Sequence, residues 1–367
     1  MYSYLYKWIH SVWELPYNLG RGKWILQILT WLALLYEKIV KYRDIQASLK
    51  PKIVFRAQLI SIGNLTVGGT GKTPLVAWMA LYLQTKTSLP VGIVLRGYGR
   101  RKVLRTPVLV DADVTRPGLE LDLIGDEARL LSELCPQARI MVCSDRIKAI
   151  ERLEKDCGCE FIILDDAFQQ RQFAKCMDIL CLDSRRPFGN GYLLPRGPLR
   201  EPISFLAKGT HFVFPKGKPR LRIENQVKAI VGQEKSKQIY FFNYDILGAY
   251  LLNDPLHVVD INRLEKEKLG ILSSIGNPES FSKTLEMVGI QGPHQDLPDH
   301  IPYDDRLFFK IQEWIQKEGV NGIITTEKDA VRLKGRIFNV PCYVIEMELF
   351  LPDEWIHEVK NQIQNRG

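Results

Sequence analysis

A chain of 367 residues, 46% hydrophobic and 25% charged, is long enough to bury two cores, which excludes a disordered or fibrous protein. Its formal net charge of +8 points to anionic partners without choosing among nucleic acid, acidic lipid and a phosphorylated substrate. Seven cysteines, an odd number with no zinc spacing, exclude a disulfide scaffold and read as reduced thiols.

Residues 1–50 are expected to form a membrane-associating segment. They hold ten aromatics and seven Lys/Arg against three Asp/Glu, so half of the net charge lies here. The apolar run Trp24 to Tyr36 is thirteen residues. As a helix it spans about 20 Å against a hydrocarbon core of about 30 Å, too short to cross. Aromatic dominance and the lack of a small-residue cleavage site argue against a cleavable signal. Tyr and Trp favour the membrane interface, and Lys23, Lys38, Lys41 and Arg43 suit anionic headgroups, so the segment is expected to rest on an anionic membrane surface. A helix packed on the catalytic core is the competing reading, and the two are compatible on different faces.

Residues 51–235 read as a phosphate-loop domain. Leu59, Ile60 and Ile62 form a strand that runs into Thr66-Val67-Gly68-Gly69-Thr70-Gly71-Lys72-Thr73, and an apolar helical pattern begins at Pro74. Glycines let backbone N–H groups curl around phosphate, the helix start adds its dipole, Lys72 reaches the β/γ-phosphates and Thr73 can ligate Mg²⁺. Thr66 stands where the first glycine of the usual motif belongs. Further apolar runs at 91–95, 140–143, 161–164 and 179–182 alternate with helical segments, which predicts a parallel sheet with its site at the strands' C-terminal ends. The run Phe161-Ile-Ile-Leu-Asp165-Asp166 places two carboxylates where phosphate-loop enzymes hold Mg²⁺. Strand alternation predicts that only one of them is a direct ligand. Arg185, Arg186, Arg196 and Arg200 fall in a Gly/Pro-rich stretch that reads as an ordered loop contacting phosphate or carboxylate.

Residues 236–367 read as a smaller α/β domain. Short strands near 239–242 and 249–252 suit a connecting β-ribbon, followed by strands near 270–275, 322–325 and 342–345. The expected fold class is therefore α/β, a P-loop NTPase-like parallel-sheet domain joined by a short β-ribbon to a second, smaller α/β domain.

Together, SIGNLTVGGTGKTP, LRGYG, GDEA, SDR, LDDAFQQ, RPFGNGYLLPRGPLREP, SIGNPESF, PDH and TTEKDAVRL resemble the tetraacyldisaccharide 4'-kinases of lipid A biosynthesis, in family order over about residues 55–335. The resemblance implies transfer of the ATP γ-phosphate to the 4'-hydroxyl of a lipid A disaccharide-1-phosphate precursor at the cytoplasmic face of the inner membrane. It implies Asp126 as catalytic base oriented by His300, and Glu127 with Asp165 and Asp166 serving Mg²⁺ alongside Thr73. Arg146, Arg200 and Glu201 match family positions tied to activity and are substrate-site candidates. The chain departs from the pattern at Ala128, where proline is usual, and at Ala167 and Gln170, which replace the glycine and histidine of DDGFQH. No nucleic-acid recognition motif and no obligate protein partner are evident. The rival is a membrane-associated ATPase switch, but such loops carry lysine before the paired glycines, where this chain has Val67.

Overall fold

In the structure, a computed structural model, residues 13, 23–97, 106–110, 124–276, 278–298, 301 and 303–364 are described. Two sheets organise them. The larger contains β1 (Gln58–Gly63), β2 (Val91–Leu95), β3 (Val108–Val110), β4 (Arg139–Val142), β5 (Phe161–Asp165), β6 (Met177–Cys181), β7 (His211–Phe214) and β8 (Ile239–Phe241). Their spatial order is β3-β4-β2-β5-β1-β6-β7-β8, parallel except where β3 meets β4. The central strands are nearly continuous apolar runs because helices cover both faces.

Helices that pack on or beside this sheet include α2 (Lys72–Thr87), α3 (Asp126–Leu134), α4 (Arg146–Cys157) and α5 (Leu221–Val231). One face is sealed by Leu75, Val76, Met79, Ala80 and Leu83 of α2, and the other by Ala149, Ile150 and Leu153 of α4. All seven cysteines are free, and burial pushes the Cys135 and Cys181 thiols up to about 12, as expected of inert core residues.

The predicted ribbon divides in two. Ile239–Phe241 extends the larger sheet by pairing parallel with β7, because its side chains complete that core. The antiparallel pair β9 (Asn243–Leu251) and β10 (Asp254–Val259) opens the smaller sheet. With β11 (Leu269–Ser273), β12 (His294–Asp296), β13 (Gly322–Thr326) and β14 (Cys342–Phe350), its order is β10-β9-β14-β13-β11-β12. Helices α6 (Pro278–Met287), α7 (Asp305–Glu318) and α8 (Glu327–Leu333) flank it. The last helix, α9 (Asp353–Gln364), crosses back, and its fully buried Trp355 packs against Tyr240 and Phe242 of the larger unit.

The N-terminal helix α1 spans Lys23–Ser48, 26 residues or about 39 Å, well beyond the apolar run read from sequence. It continues because Ile39, Tyr42 and Ile45 prolong the helical spacing past the end of that run. Ala33, Tyr36 and Val40 pack on the core, whereas Trp24, Ile28, Trp31, Leu35, Ile39, Tyr42 and Ile45 form an exposed stripe on another face. Among the described residues, no helix is long and apolar enough to cross a membrane.

Candidate active site

The register sets the geometry. Ile62 of β1 lies beside Asp165 of β5, so the loop leaving β1 and the acidic end of β5 emerge side by side at the C-terminal edge of the parallel strands. Gly68 and Gly71 have φ of 115° and 81°, values that favour glycine. Gly71 caps α2 with no side-chain partner, leaving the helix's first N–H groups for an anion. Thr66 has no positive φ and forms an isolated bridge with Leu199, while the Val67 N–H donates to the Pro198 carbonyl at 2.8 Å. A side chain is therefore tolerated where the usual motif has glycine. Gly69 passes close to Gly276 of the smaller unit, and the Tyr244 hydroxyl lies 3.4 Å from the Gly71 carbonyl.

Asp165 and Asp166 are both buried, contrary to the simple alternation expected of a strand. The strand ends at Asp165, and Asp166 turns into the left-handed region at φ 49°, which aspartate tolerates better than most residues. Lys72 Nζ lies 3.5 Å from Asp166 Oδ1, and Arg200 donates to Asp166 Oδ2 at 2.7 Å. Burial alone would raise Asp166, but Lys72 and Arg200 outweigh it and hold its carboxyl below the usual range. Asp165 behaves oppositely: burial, reinforced by Glu127 and Asp166 against Lys72 and Arg146, pushes it up to about 7. Its Oδ1 is buried with no hydrogen-bond partner. An orphaned carboxylate oxygen that resists ionising beside a phosphate loop suits a cation.

Among the described residues no three His, Cys, Asp or Glu side chains converge as a metal cluster. Mg²⁺ takes one or two carboxylates and fills its octahedron with phosphate oxygens and waters. Arg146 is buried and donates to the Asp165 and Asp166 carbonyls at 2.5 and 2.9 Å, so it pins the acidic turn by its backbone. Glu201 pairs instead with Arg171 at 2.8 Å; Arg171 also faces Asp44 of α1, which pairs with Lys208. The Tyr36 hydroxyl donates to the Arg200 carbonyl at 3.0 Å, linking α1 to the residue that holds Asp166. Glu201 thus sits among contacts that anchor α1.

Asp126 opens α3 and is largely buried; its Oδ1 accepts from the Glu127 N–H at 3.0 Å. Across the interface, Arg332 Nε lies 3.7 Å from Asp126 Oδ2. His300, expected to orient Asp126, lies outside the described residues, as do Tyr98 and Gly99 of LRGYG.

Sequence reasoning missed Lys175 and Arg332. Burial lowers the Lys175 pKa to about 8 despite its partner Asp178, and its Nζ donates to the Ala167 carbonyl at 2.8 Å, just past the acidic pair. A lone lysine eight residues downstream gives no periodic signal. Arg332 stands three residues after Asp329 in TTEKDAVRL, a spacing that shares one helix face.

A phosphate loop facing an acidic strand end in a parallel α/β sheet defines a P-loop nucleotide-binding protein. More narrowly, the chain belongs to the tetraacyldisaccharide-1-P 4'-kinase family, whose model matches residues 25–364. It is 31% identical over 350 residues to a tetraacyldisaccharide 4'-kinase of Halothermothrix orenii, covering 90% of each chain. It is 32% identical over 357 residues to one of Coxiella burnetii, covering 96% of this chain and 94% of the relative. The fold is similar to the crystal structure of LpxK from Aquifex aeolicus in complex with ATP, with a TM-score of 0.68 and 24% identity over 92% of this chain and 99% of that one.

Proposed function

We propose that the chain transfers the γ-phosphate of ATP to the 4'-hydroxyl of a lipid A disaccharide-1-phosphate precursor at the cytoplasmic face of the inner membrane. One observation supports the phosphoryl-transfer reading best: the phosphate-loop lysine, the buried acidic pair and Arg200 converge at one sheet edge, in a chain of this family. Lys72 and the first amides of α2 bind the phosphates, and Arg146 fixes the acidic turn. Thr73 and Asp165 would hold Mg²⁺ with Glu127 beside Asp165, and Asp166, kept ionised between Lys72 and Arg200, would serve the same ion. Bound there, the ion would offset the negative charge of the β- and γ-phosphates. Asp126 accepts the proton of the attacking hydroxyl, with His300 as its orienting partner by family analogy. The transition state is loose, so holding the hydroxyl in line matters more than base strength.

The direct test is purified protein with γ-labelled ATP, Mg²⁺ and the disaccharide-1-phosphate lipid, resolved by thin-layer chromatography. Label on the lipid is the expected result. Label released only to water would overturn the kinase reading and favour an ATPase switch.

The exposed stripe of α1 supports docking on an anionic membrane surface, because a contiguous apolar face of this size is costly in water. Each large apolar side chain withdrawn from water contributes about 1.5–3 kcal/mol, roughly 10- to 150-fold in binding. Trp31→Glu with Leu35→Glu is therefore expected to abolish flotation with anionic vesicles. Turnover on a detergent-dispersed or short-chain substrate should persist. Undiminished flotation would remove α1 as the docking face.

A further inference from the structure

We propose that Arg332 is a positioning residue for Asp126, a clamp by which the smaller unit sets the carboxylate of the larger one. The proposal rests on the reading of Asp126 as the base. It starts from Asp329, which is fully buried in α8. Asp329 accepts hydrogen bonds from the Ser274 N–H (3.0 Å), the Ser274 hydroxyl (2.7 Å), the Tyr303 hydroxyl (3.0 Å), the Thr326 hydroxyl (2.8 Å) and Arg332 Nη2 (2.7 Å). A carboxylate so fully satisfied is a fixed anchor. It gathers the strand end at Ser274, the segment at Tyr303 and the start of α8 into one rigid cluster.

Arg332 projects from that cluster. Its Nη1 donates to the Ile301 carbonyl at 3.2 Å, and Nη2 also approaches the Ser274 carbonyl at 3.3 Å. The guanidinium lies 5.4 Å from the Tyr303 ring centre. Both terminal nitrogens are thus spent inside the smaller unit, and the planar fork has no rotational freedom left. Nε faces across the interface to Asp126 Oδ2 at 3.7 Å, where α8 packs on α3. That distance is too long for a hydrogen bond, and Nε is buried without another acceptor. A slight approach of the two units would convert the ion pair into a charge-assisted hydrogen bond. Arg332 therefore holds Asp126 in one orientation only when the smaller unit is seated, with Gly276 against Gly69 of the phosphate loop.

The test is a double-mutant cycle on the full chain, with kcat and KM measured on the lipid and on ATP. Arg332→Gln is expected to lower kcat by about 10- to 100-fold, the cost of a misplaced catalytic group, with KM for ATP changed by less than about threefold. Arg332→Lys keeps a cation on Asp329 but loses the fork that reaches Asp126, so it should fold like the parent and still lose about 10-fold in kcat. In an Asp126→Asn background, Arg332→Gln should cost less than about twofold, because its target is gone. A residue that merely stabilises the smaller unit would cost the same factor in both backgrounds, and that result overturns the clamp. Parent-like kcat in Arg332→Lys and Arg332→Gln would overturn it equally. If Asp126→Asn itself turned over normally, the base reading would fall, and the clamp with it. An impaired Asp126→Asn beside a neutral Arg332→Gln would remove only the clamp.

Discussion

Asp126→Asn is expected to lower turnover by about 10²- to 10⁴-fold while leaving ATP affinity within about threefold of the parent. Asparagine keeps the size and one carbonyl oxygen, so Asp126 Oδ1 can still be replaced as acceptor for the Glu127 N–H. What is lost is the negative charge and the capacity to take a proton. Phosphate binding resides in the loop at 66–73 and at the start of α2, whose cap is Gly71 and not a side chain of α3. A bland alternative exists for a carboxylate in a first helical turn: it interacts favourably with the helix dipole, contributing about 0.3–1 kcal/mol. On that account Asp126→Asn would cost a little stability and leave the chemistry alone. Steady-state kinetics on the lipid together with ATP binding by calorimetry separates the two, and near-parental kcat would remove Asp126 from the mechanism.

The larger sheet and the place of the candidate site at its edge were legible in the sequence for a physical reason. A parallel strand buried on both faces must be a continuous apolar run, so Val91–Leu95 and Phe161–Asp165 announce themselves, and the charged residues that follow mark the strand ends. The phosphate loop was legible because glycine is required where φ is positive, at Gly68 and Gly71, while Thr66, with no positive φ and a bridge to Leu199, accommodates a side chain. The strand pairing of 239–241 was hidden because a three-residue strand has no periodicity to read. The orientation of Asp166 was hidden too, since strand alternation cannot foresee a residue that leaves the strand with φ 49°.

Tertiary partnerships were the least legible. Glu201 lies beside Arg200 in sequence, yet Arg200 bonds Asp166 while Glu201 turns to Arg171 and the anchorage of α1. Arg332 and Asp126 are separated by more than half the chain. Their proximity follows from the packing of α8 on α3, which no local pattern encodes.

Asp166→Asn is expected to reduce Mg²⁺-dependent turnover by at least about 10²-fold while strengthening ATP binding measured without Mg²⁺. The two effects have one origin. In the structure Lys72 faces Asp166 at 3.5 Å, so part of its charge is engaged by a carboxylate instead of by phosphate. Removing that charge frees Lys72 for the nucleotide and strengthens the ground-state complex. The same removal leaves Lys72 and Arg200, with side chains 14% and 23% exposed, facing a neutral amide. Their partial exposure limits the expected loss of folding stability to about 1–3 kcal/mol, below the cost of orphaning a fully buried cation. Asparagine is the informative replacement because it tolerates the left-handed backbone at φ 49°, whereas alanine would add strain to the loss of charge. If Asp166 were only a structural counter-ion, ATP affinity without Mg²⁺ would rise and turnover would stay near the parent. If it belongs to the Mg²⁺ site, tighter nucleotide binding must accompany the fall in kcat, and higher Mg²⁺ should recover only part of it.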